Sequence, residues 1–518
     1  MKAKASVYDY DLIVIGSGPS GQKAAIQAAK LEKRVALIEK KGVVGGVCIN
    51  TGTIPSKTLR EAAMYLSGYR QHNIYGRSYS VKEKITIDDL LFRTDHVIRL
   101  EIDIIRHQLL RNHIDLYTAS ATFVDDHTVR MNFASANSAR DVTAERIIIA
   151  VGTSATRDPH IPFDERNVIT SDEILGLNEI PRSLAVIGGG VIGIEYASIF
   201  SSLGVHVTVI DKRKDLLSFI DSEVIDSLVY HLRQQRVVFR LGEEVSGVEV
   251  LDDAHQTVRI HLDSGKKVLA EKALYSIGRT GATGSLNLKA AGLEADDRGR
   301  LTVNTYFQTN VPHIYAVGDV IGFPSLASSS MEQGRLAANH AFGLHTGVMP
   351  ELFPYGIYSI PEISTVGQNE EELTRAGIPY EIGKAHYSEV ARGQIIGDTI
   401  GLLKMIFHSE TRKLLGVHII GEGASELIHI GQAVLGFGGT IDYFINTVFN
   451  YPTLAESYKI AALDGMNRIG LALKDTAVRV STRKKVAPAP AAAAAPEGAS
   501  EPVIVNKLHD VGVQSTGY

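Results

Sequence analysis

Leu12-Ile13-Val14-Ile15-Gly16-Ser17-Gly18-Pro19-Ser20-Gly21 is the stretch on which the fold turns. Its four apolar residues, mostly β-branched, read as a buried strand. The glycine pattern reads as a tight turn, and the Ala-rich segment from Gln22 to Leu31 as a helix. The next apolar run, Val35-Ala36-Leu37-Ile38, ends on Glu39. In such a unit the first glycine makes the turn, the second lets the backbone approach a pyrophosphate, and the third lets the helix pack closely. The acid at the end of the second strand takes ribose hydroxyls, and phosphate sits on free helix N–H groups. One such motif is a weak signal, but this one returns. Leu184-Ala185-Val186-Ile187 leads into Gly188-Gly189-Gly190-Val191-Ile192-Gly193, then a helix-like Ile194 to Leu203, then a strand-like Val205 to Ile210 that ends on Asp211. The first glycine and the terminal acid are 23 positions apart in both copies, 16 to 39 and 188 to 211. Matching spacing in matching context argues for two dinucleotide sites rather than two structural turns.

A chain of 518 residues is expected to hold three domains or a little more. With 44% hydrophobic residues, 21% charged residues and a net charge of −5, it has the composition of an ordinary globular protein and gives no reason to expect nucleic acid or a membrane as partner. No run of about 18 apolar residues occurs, and the first eleven residues lack a signal-peptide core. A cytoplasmic location is therefore expected, and the single cysteine, Cys48, suits a reducing compartment. No metal site is expected.

A second stretch narrows the chemistry. Gly45-Gly46-Val47-Cys48-Ile49-Asn50-Thr51-Gly52-Thr53-Ile54-Pro55-Ser56-Lys57 resembles the active-site segment of the flavoprotein disulfide reductases, the family of dihydrolipoamide dehydrogenase and glutathione reductase. In that family two cysteines five positions apart face a flavin. Here the second place is Thr53, and with one cysteine in the chain no intramolecular disulfide can form. The resemblance implies an α/β fold with two Rossmann-like dinucleotide-binding domains, one for FAD and one for NAD(P), and an α+β C-terminal dimerisation domain. It places a first part of the FAD domain at 1–155, the NAD(P) domain at 156–280, the second part of the FAD domain at 281–350 and the dimerisation domain at 351–470. It also gives Gly16, Gly18, Gly21 and Glu39 to FAD, and Gly188, Gly190, Gly193 and Asp211 to the nicotinamide nucleotide. Ile314-Tyr315-Ala316-Val317-Gly318-Asp319 looks like the family segment whose aspartate holds the ribityl chain. Gly46 and Cys48 fall beside the cofactor, and Gly152 and Gly278 lie where the chain enters and leaves the inserted domain.

By the same resemblance Thr53 lies beneath the flavin ring and Lys57 close to its N5, paired with Glu195. A cation there favours negative charge on the reduced ring. Cys48, without a partner, is expected to be inert packing. The family's partner-subunit base, His-Pro-Thr followed by a glutamate, is matched by Tyr451-Pro452-Thr453-Leu454-Ala455-Glu456, and a phenol with a reference pKa near 10 is a poor base at neutral pH. Loss of both the dithiol and the base points to hydride-only chemistry. The implied activity is hydride transfer between NADPH and NAD, or NADH and NADP, through bound FAD by a ping-pong cycle, in a homodimer or higher homo-oligomer. Rival readings are a diaphorase-like reductase feeding a quinone or other acceptor, and a retired reductase kept as a scaffold. Asp211-Lys212-Arg213-Lys214 offers an acid for a free 2′-hydroxyl and cations for a 2′-phosphate, against the plainer reading of a solvated turn. Residues 471–518, rich in Ala and Pro, read as a disordered tail.

Overall fold

The computed structural model describes residues 7–470, apart from 77, 135–136, 254–255 and 345–346. The expected tail, with its Ala/Pro stretch and basic cluster, lies outside the described residues. The first glycine motif joins two neighbouring parallel strands, Tyr10–Ile15 and Val35–Glu39, in register Ile15 to Ile38. Asp115–Thr118 extends that edge. On the other side lies the long strand Ser138–Ile149, whose last half pairs parallel with Tyr10–Ile15 and with Ile314–Ala316. Its first half turns antiparallel, to Thr128–Phe133 and then Ser120–Phe123. Leu12, Ile13 and Val14 are fully buried, as a strand covered on both faces requires. The helix Pro19–Lys30 starts three residues before the Ala-rich segment suggests, because Pro19 fits the first helical position, where its missing N–H costs nothing. It crosses the helix Ala327–Ala341 at Gly334, where a Cβ would stand 2.1 Å from the Ser20 carbonyl oxygen.

The second glycine motif builds a five-stranded parallel sheet in the order Val238–Leu241, His206–Asp211, Ser183–Ile187, Lys272–Tyr275, Val168–Thr170. The helix Val191–Ser202 is buried on nearly every side, with Ile194, Tyr196, Ala197, Ile199 and Phe200 in the core, and its sequence is correspondingly apolar throughout. A three-stranded antiparallel sheet, Val245–Val250, Val258–Leu262 and Lys267–Ala270, accompanies it. The chain enters and leaves this insert along one short antiparallel ribbon, Thr153–Ala155 against Arg279–Gly281. Arg279 braces the ribbon by donating to the Thr153 hydroxyl at 2.9 Å, the Thr153 carbonyl at 3.0 Å and Asp172 at 3.1 Å.

The third block is an antiparallel sheet in the order Tyr355–Ile357, Ile363–Gly367, Leu414–Ile420, Leu402–His408, Tyr380–His386, with the helices Ala424–Gly436 and Glu456–Arg468. Its core holds Tyr387, Phe407, Phe444 and Tyr458. One charged residue lies inside this apolar strand run. Lys404 is fully buried and donates to the equally buried Asp221, at 2.8 and 2.9 Å, and to Glu370, with Glu223 at 3.1 Å. Burial works to lower its pKa, but the hydrogen bonds it donates to Asp221 and Glu370 outweigh that and raise it, so the ammonium stays charged. Asp221 also caps the helix Ser222–Gln234, so this network ties the inserted unit to the third block. Lys404→Met leaves Asp221 buried without the ammonium that answers it. The expected loss is about 3–5 kcal/mol of stability, read as a lower midpoint of denaturation with the far-UV spectrum unchanged below it.

Candidate functional site

The two glycine turns are built alike. Gly16 and Gly188 adopt φ +105° and +107°, and a Cβ on either would stand 2.3 or 2.6 Å from a carbonyl oxygen of the neighbouring strand end, Ala150 or Ser276. A Cβ on Gly21 or Gly193 would stand 1.9 or 2.0 Å from the carbonyl oxygen of that first glycine. The middle glycines differ: Gly18 and Gly190 cap their helices in extended backbone, and a Cβ on either would meet nothing within 4 Å. The outer glycines close the turn, and the middle one borders open space at a helix N-terminus. That cradle fits a pyrophosphate, and a side chain would fill it. Gly46 lies directly against the first turn, since its Cβ would come within 2.9 Å of the Gly18 Cα.

The acids at the strand ends are held the same way. Glu39 accepts from the Ser17 N–H at 3.0 Å and from the Ser17 hydroxyl, and Asp211 accepts from the Gly189 N–H at 2.7 Å. Each accepts the backbone N–H two residues on, from Lys41 or Arg213, at 2.8 Å, but Asp211 is in addition gripped by the Arg213 guanidinium through Nε at 2.9 Å and Nη2 at 2.7 Å. Burial opposes the charge on Asp211, but the Arg213 and Gly189 hydrogen bonds prevail and hold its carboxyl below the usual range. Arg213 is half exposed, 52% for the side chain, against 5% for Asp211.

A cleft of about 1640 Å³ runs between these units and the third block. Thr53, Lys57, Gly188, Gly190, Glu195, Asp211, Arg213, Gly278 and Asp319 all line it, whereas Gly16, Gly18, Gly21, Glu39, Gly46, Cys48, Gly152 and Gly193 do not. The helix Thr53–Leu66 begins at Thr53, so Lys57 stands one turn further along the same face. Lys57 Nζ donates to both oxygens of Glu195, at 2.9 and 2.8 Å, and lies 4.9 Å from the centre of the Tyr358 ring. Glu195 is buried and also accepts the Tyr358 N–H at 2.9 Å. Asp319 is raised in pKa by burial, against the pull of Arg279 and a long 3.5 Å bond from the Thr153 hydroxyl. A carboxylate that short of donors, at the edge of a large cleft, is suited to accept from a polyol hydroxyl.

Cys48 and Thr53 do come together: burial raises the Cys48 pKa, and a hydrogen bond with Thr53 only partly offsets it. Tyr451, 74% exposed, lies away from this chain's cleft, and so does Glu456, one of whose oxygens is buried without a hydrogen-bond partner. Sequence reasoning missed Tyr358 and Arg279. Both act through partners remote in the chain, and the only local hint was that Arg279 directly follows Gly278 in the exit segment.

Comparison with known proteins is consistent with this geometry. Residues 10–334 match the model of the pyridine nucleotide-disulphide oxidoreductases, and residues 353–462 match the dimerisation domain of the same group. The chain is 55% identical over 461 residues to the soluble pyridine nucleotide transhydrogenase of Mycobacterium tuberculosis (strain ATCC 25177 / H37Ra), covering 89% of this chain and 98% of the relative. It is 46% identical over 466 residues to the protein of that name from Escherichia coli O9:H4 (strain HS), covering 89% and 99%. Among solved structures it is similar to LpdA of Mycobacterium tuberculosis, with a TM-score of 0.80, 25% identity and coverage of 87% and 99%. It is also similar to the HOCl-induced flavoprotein disulfide reductase RclA of Escherichia coli, with a TM-score of 0.78, 27% identity and coverage of 88% and 99%.

The raised pKa of Cys48 predicts a sluggish thiol. Alkylation of the native protein by iodoacetamide at pH 8 is expected to be slower than that of a free thiol, with one equivalent reacting fully once the chain is denatured.

Proposed function

The chain belongs to the pyridine nucleotide-disulphide oxidoreductase family, and from that premise we propose that it is an FAD-dependent NAD(P) transhydrogenase acting without a redox disulfide. The observation that carries this reading is that the Lys57–Glu195 pair, Thr53 and the second glycine turn at Gly188 and Gly190 line one cleft, with a first glycine turn of like build outside its lining and a Thr53 hydroxyl where Cys48 would need a second sulfur. The names of the relatives at 55% and 46% identity support it. Bound FAD supplies the two-electron store through which hydride passes from one nucleotide to the other, in a ping-pong cycle.

The chain's own residues bind, orient and set charge. Gly16, Gly18, Gly21, Glu39, Gly46, Cys48, Gly152 and Asp319 are assigned to FAD. Gly188, Gly190, Gly193, Asp211, Arg213 and Gly278 are assigned to the nicotinamide nucleotide. Lys57, fixed by Glu195, presents a positive charge to the flavin site, and Thr53 fills the face a thiolate would occupy. The domain limits remain those given from the sequence. The dimerisation domain makes the protein a homo-oligomer, a dimer or larger. No helix among the described residues is long and apolar enough to cross a membrane, and the proposed location is the cytoplasm.

One pocket must admit ribose with and without a 2′-phosphate, and the Asp211–Arg213 pair supports that. With NAD the carboxylate accepts from the 2′-hydroxyl while still holding the arginine. With NADP the half-exposed guanidinium has donors to offer a phosphate that would otherwise face a bare carboxylate. Charge-assisted bonds of this kind contribute about 1.5–3 kcal/mol. Arg213→Gln is therefore expected to raise the KM for NADPH about ten- to a hundredfold and to leave that for NADH within about threefold, as steady-state kinetics would show.

The decisive test is anaerobic. The bound flavin is reduced with one equivalent of NADPH, the nucleotide is removed, NAD is added, and the flavin absorbance is followed. Return of the oxidised spectrum as NADH appears is the expected result. Reduced flavin that persists until a quinone or oxygen is admitted would instead identify a diaphorase-like reductase, and failure to retain FAD would identify a scaffold.

A further inference from the structure

An ammonium and a carboxylate together carry no net charge, so what the Lys57–Glu195 pair does to a cofactor depends on which end of it faces the open cleft. The two ends are not equally buried: the Glu195 side chain is 5% exposed and that of Lys57 26%. The ammonium is the open end. It donates to both Glu195 oxygens at 2.9 and 2.8 Å and has a longer contact, 3.3 Å, with the Ser56 hydroxyl. The stem that carries it is the flexible four-carbon chain of lysine, so bonds to the acid alone set its distance but leave its direction loose.

A third residue meets both ends of the pair. The Tyr358 N–H donates to Glu195 Oε1 at 2.9 Å, and the centre of its ring lies 4.9 Å from Lys57 Nζ. The quadrupole of an aromatic face attracts a cation within about 6 Å. Unlike a second carboxylate, a ring adds no negative charge, so it fixes the ammonium without cancelling it. Tyr358 is itself held in place. Two residues on, the Ile360 N–H donates to the Ser198 hydroxyl at 3.0 Å, and Ser359 and Ile360 are buried. Burial pushes the Tyr358 phenol up, against a hydrogen bond with Ser425, so the ring stays neutral. The Ser425 hydroxyl donates in turn to Glu362 at 3.2 Å. Lys57, Glu195, Tyr358 and Ser425 all line the one cleft.

We infer that Tyr358 is a positioning residue for the proposed hydride transfer: its ring holds the Lys57 ammonium at the open end of the pair, while its N–H holds the acid behind it. This rests on the reading of the cleft as a flavin site. A positive charge held there favours negative charge on the reduced ring, and Tyr358 acts on it through Lys57 alone. The effect is common to both nucleotides, because what tells them apart, the ribose end at Asp211 and Arg213, belongs to other residues.

The test uses the full-length, FAD-loaded protein and two readings. One is the equilibrium constant for flavin reduction, from the midpoint potential measured against a reference dye. The other is the rate of flavin reduction by NADPH in an anaerobic single turnover. Tyr358→Phe keeps the ring and is expected to hold both within about twofold of the wild type. Tyr358→Leu removes the ring and is expected to lower both about three- to tenfold, with the KM for NADH and for NADPH within about twofold. In a Lys57→Met background the same substitution is expected to change neither, because the cation it acts on is gone. Equal losses in the Phe and Leu variants, an unmoved potential in the Leu variant, or the same fall in the Lys57→Met background overturns the proposal. If Tyr358→Leu does not retain FAD, Tyr358→Met is read in its place by the same outcomes, and loss of FAD from both marks a structural residue and overturns it. The potential is measured without nucleotide. A wild-type protein that fails to transhydrogenate while its potential still follows the ring therefore overturns the activity and not the role of Tyr358.

Discussion

Three stretches of chain meet at one buried carboxylate. Glu195, from the first turns of the inserted unit's leading helix, holds the Lys57 ammonium from the first unit and the Tyr358 N–H from the third block. A carboxylate taken out of water needs such partners, because an isolated buried charge costs several kcal/mol. Here each unit supplies one of the three groups. The hydrogen-bond requirement of a single side chain therefore fixes how the walls of the cleft face one another. Ser198, one turn further along the same helix, repeats the arrangement by accepting the Ile360 N–H at 3.0 Å. The segment 358–360 is thereby seated on the insert by its backbone, with Tyr358 in the cleft lining and Ser359 and Ile360 buried.

The two glycine turns show how far one solution can be reused. The contacts of the first and third glycines agree to within a few tenths of an ångström, and both acids bond the residue after the first glycine. Both acids also accept the backbone N–H two residues on, and the divergence begins at the Arg213 guanidinium. The backbone geometry of the turn is what a pyrophosphate requires, and it is common to both cofactors. The ribose environment is what distinguishes them, and it is written in side chains.

The strand–turn–helix units could be read directly from the sequence, because apolar period, glycine spacing and a terminal acid all express local geometry. The partnership of Lys57 with Glu195 rested on resemblance, since nothing in either local sequence points to the other. Tyr358 could not be found that way, because it contributes a backbone N–H to Glu195, and any residue has one. Lys404 left a faint trace: a lone cation in the run Leu402-Leu403-Lys404-Met405-Ile406-Phe407 signals a buried charge but not which acids answer it.

The ribbon formed by Thr153–Ala155 and Arg279–Gly281 bears on how such a chain comes to be assembled. Ser138–Ile149 must find Ile314–Ala316, its parallel neighbour, across the entire insert. With the ribbon zipped, the insert becomes a closed side branch, and the loop to be ordered shortens roughly fourfold. By the logarithmic cost of loop closure that relieves about 1.2 kcal/mol. The insert can thus complete its own parallel sheet as an autonomous folding unit while presenting its two ends, side by side, to a host that is still incomplete. Topologically it is a cassette, entered and left at one point, that the rest of the chain holds through Glu195 and Asp221.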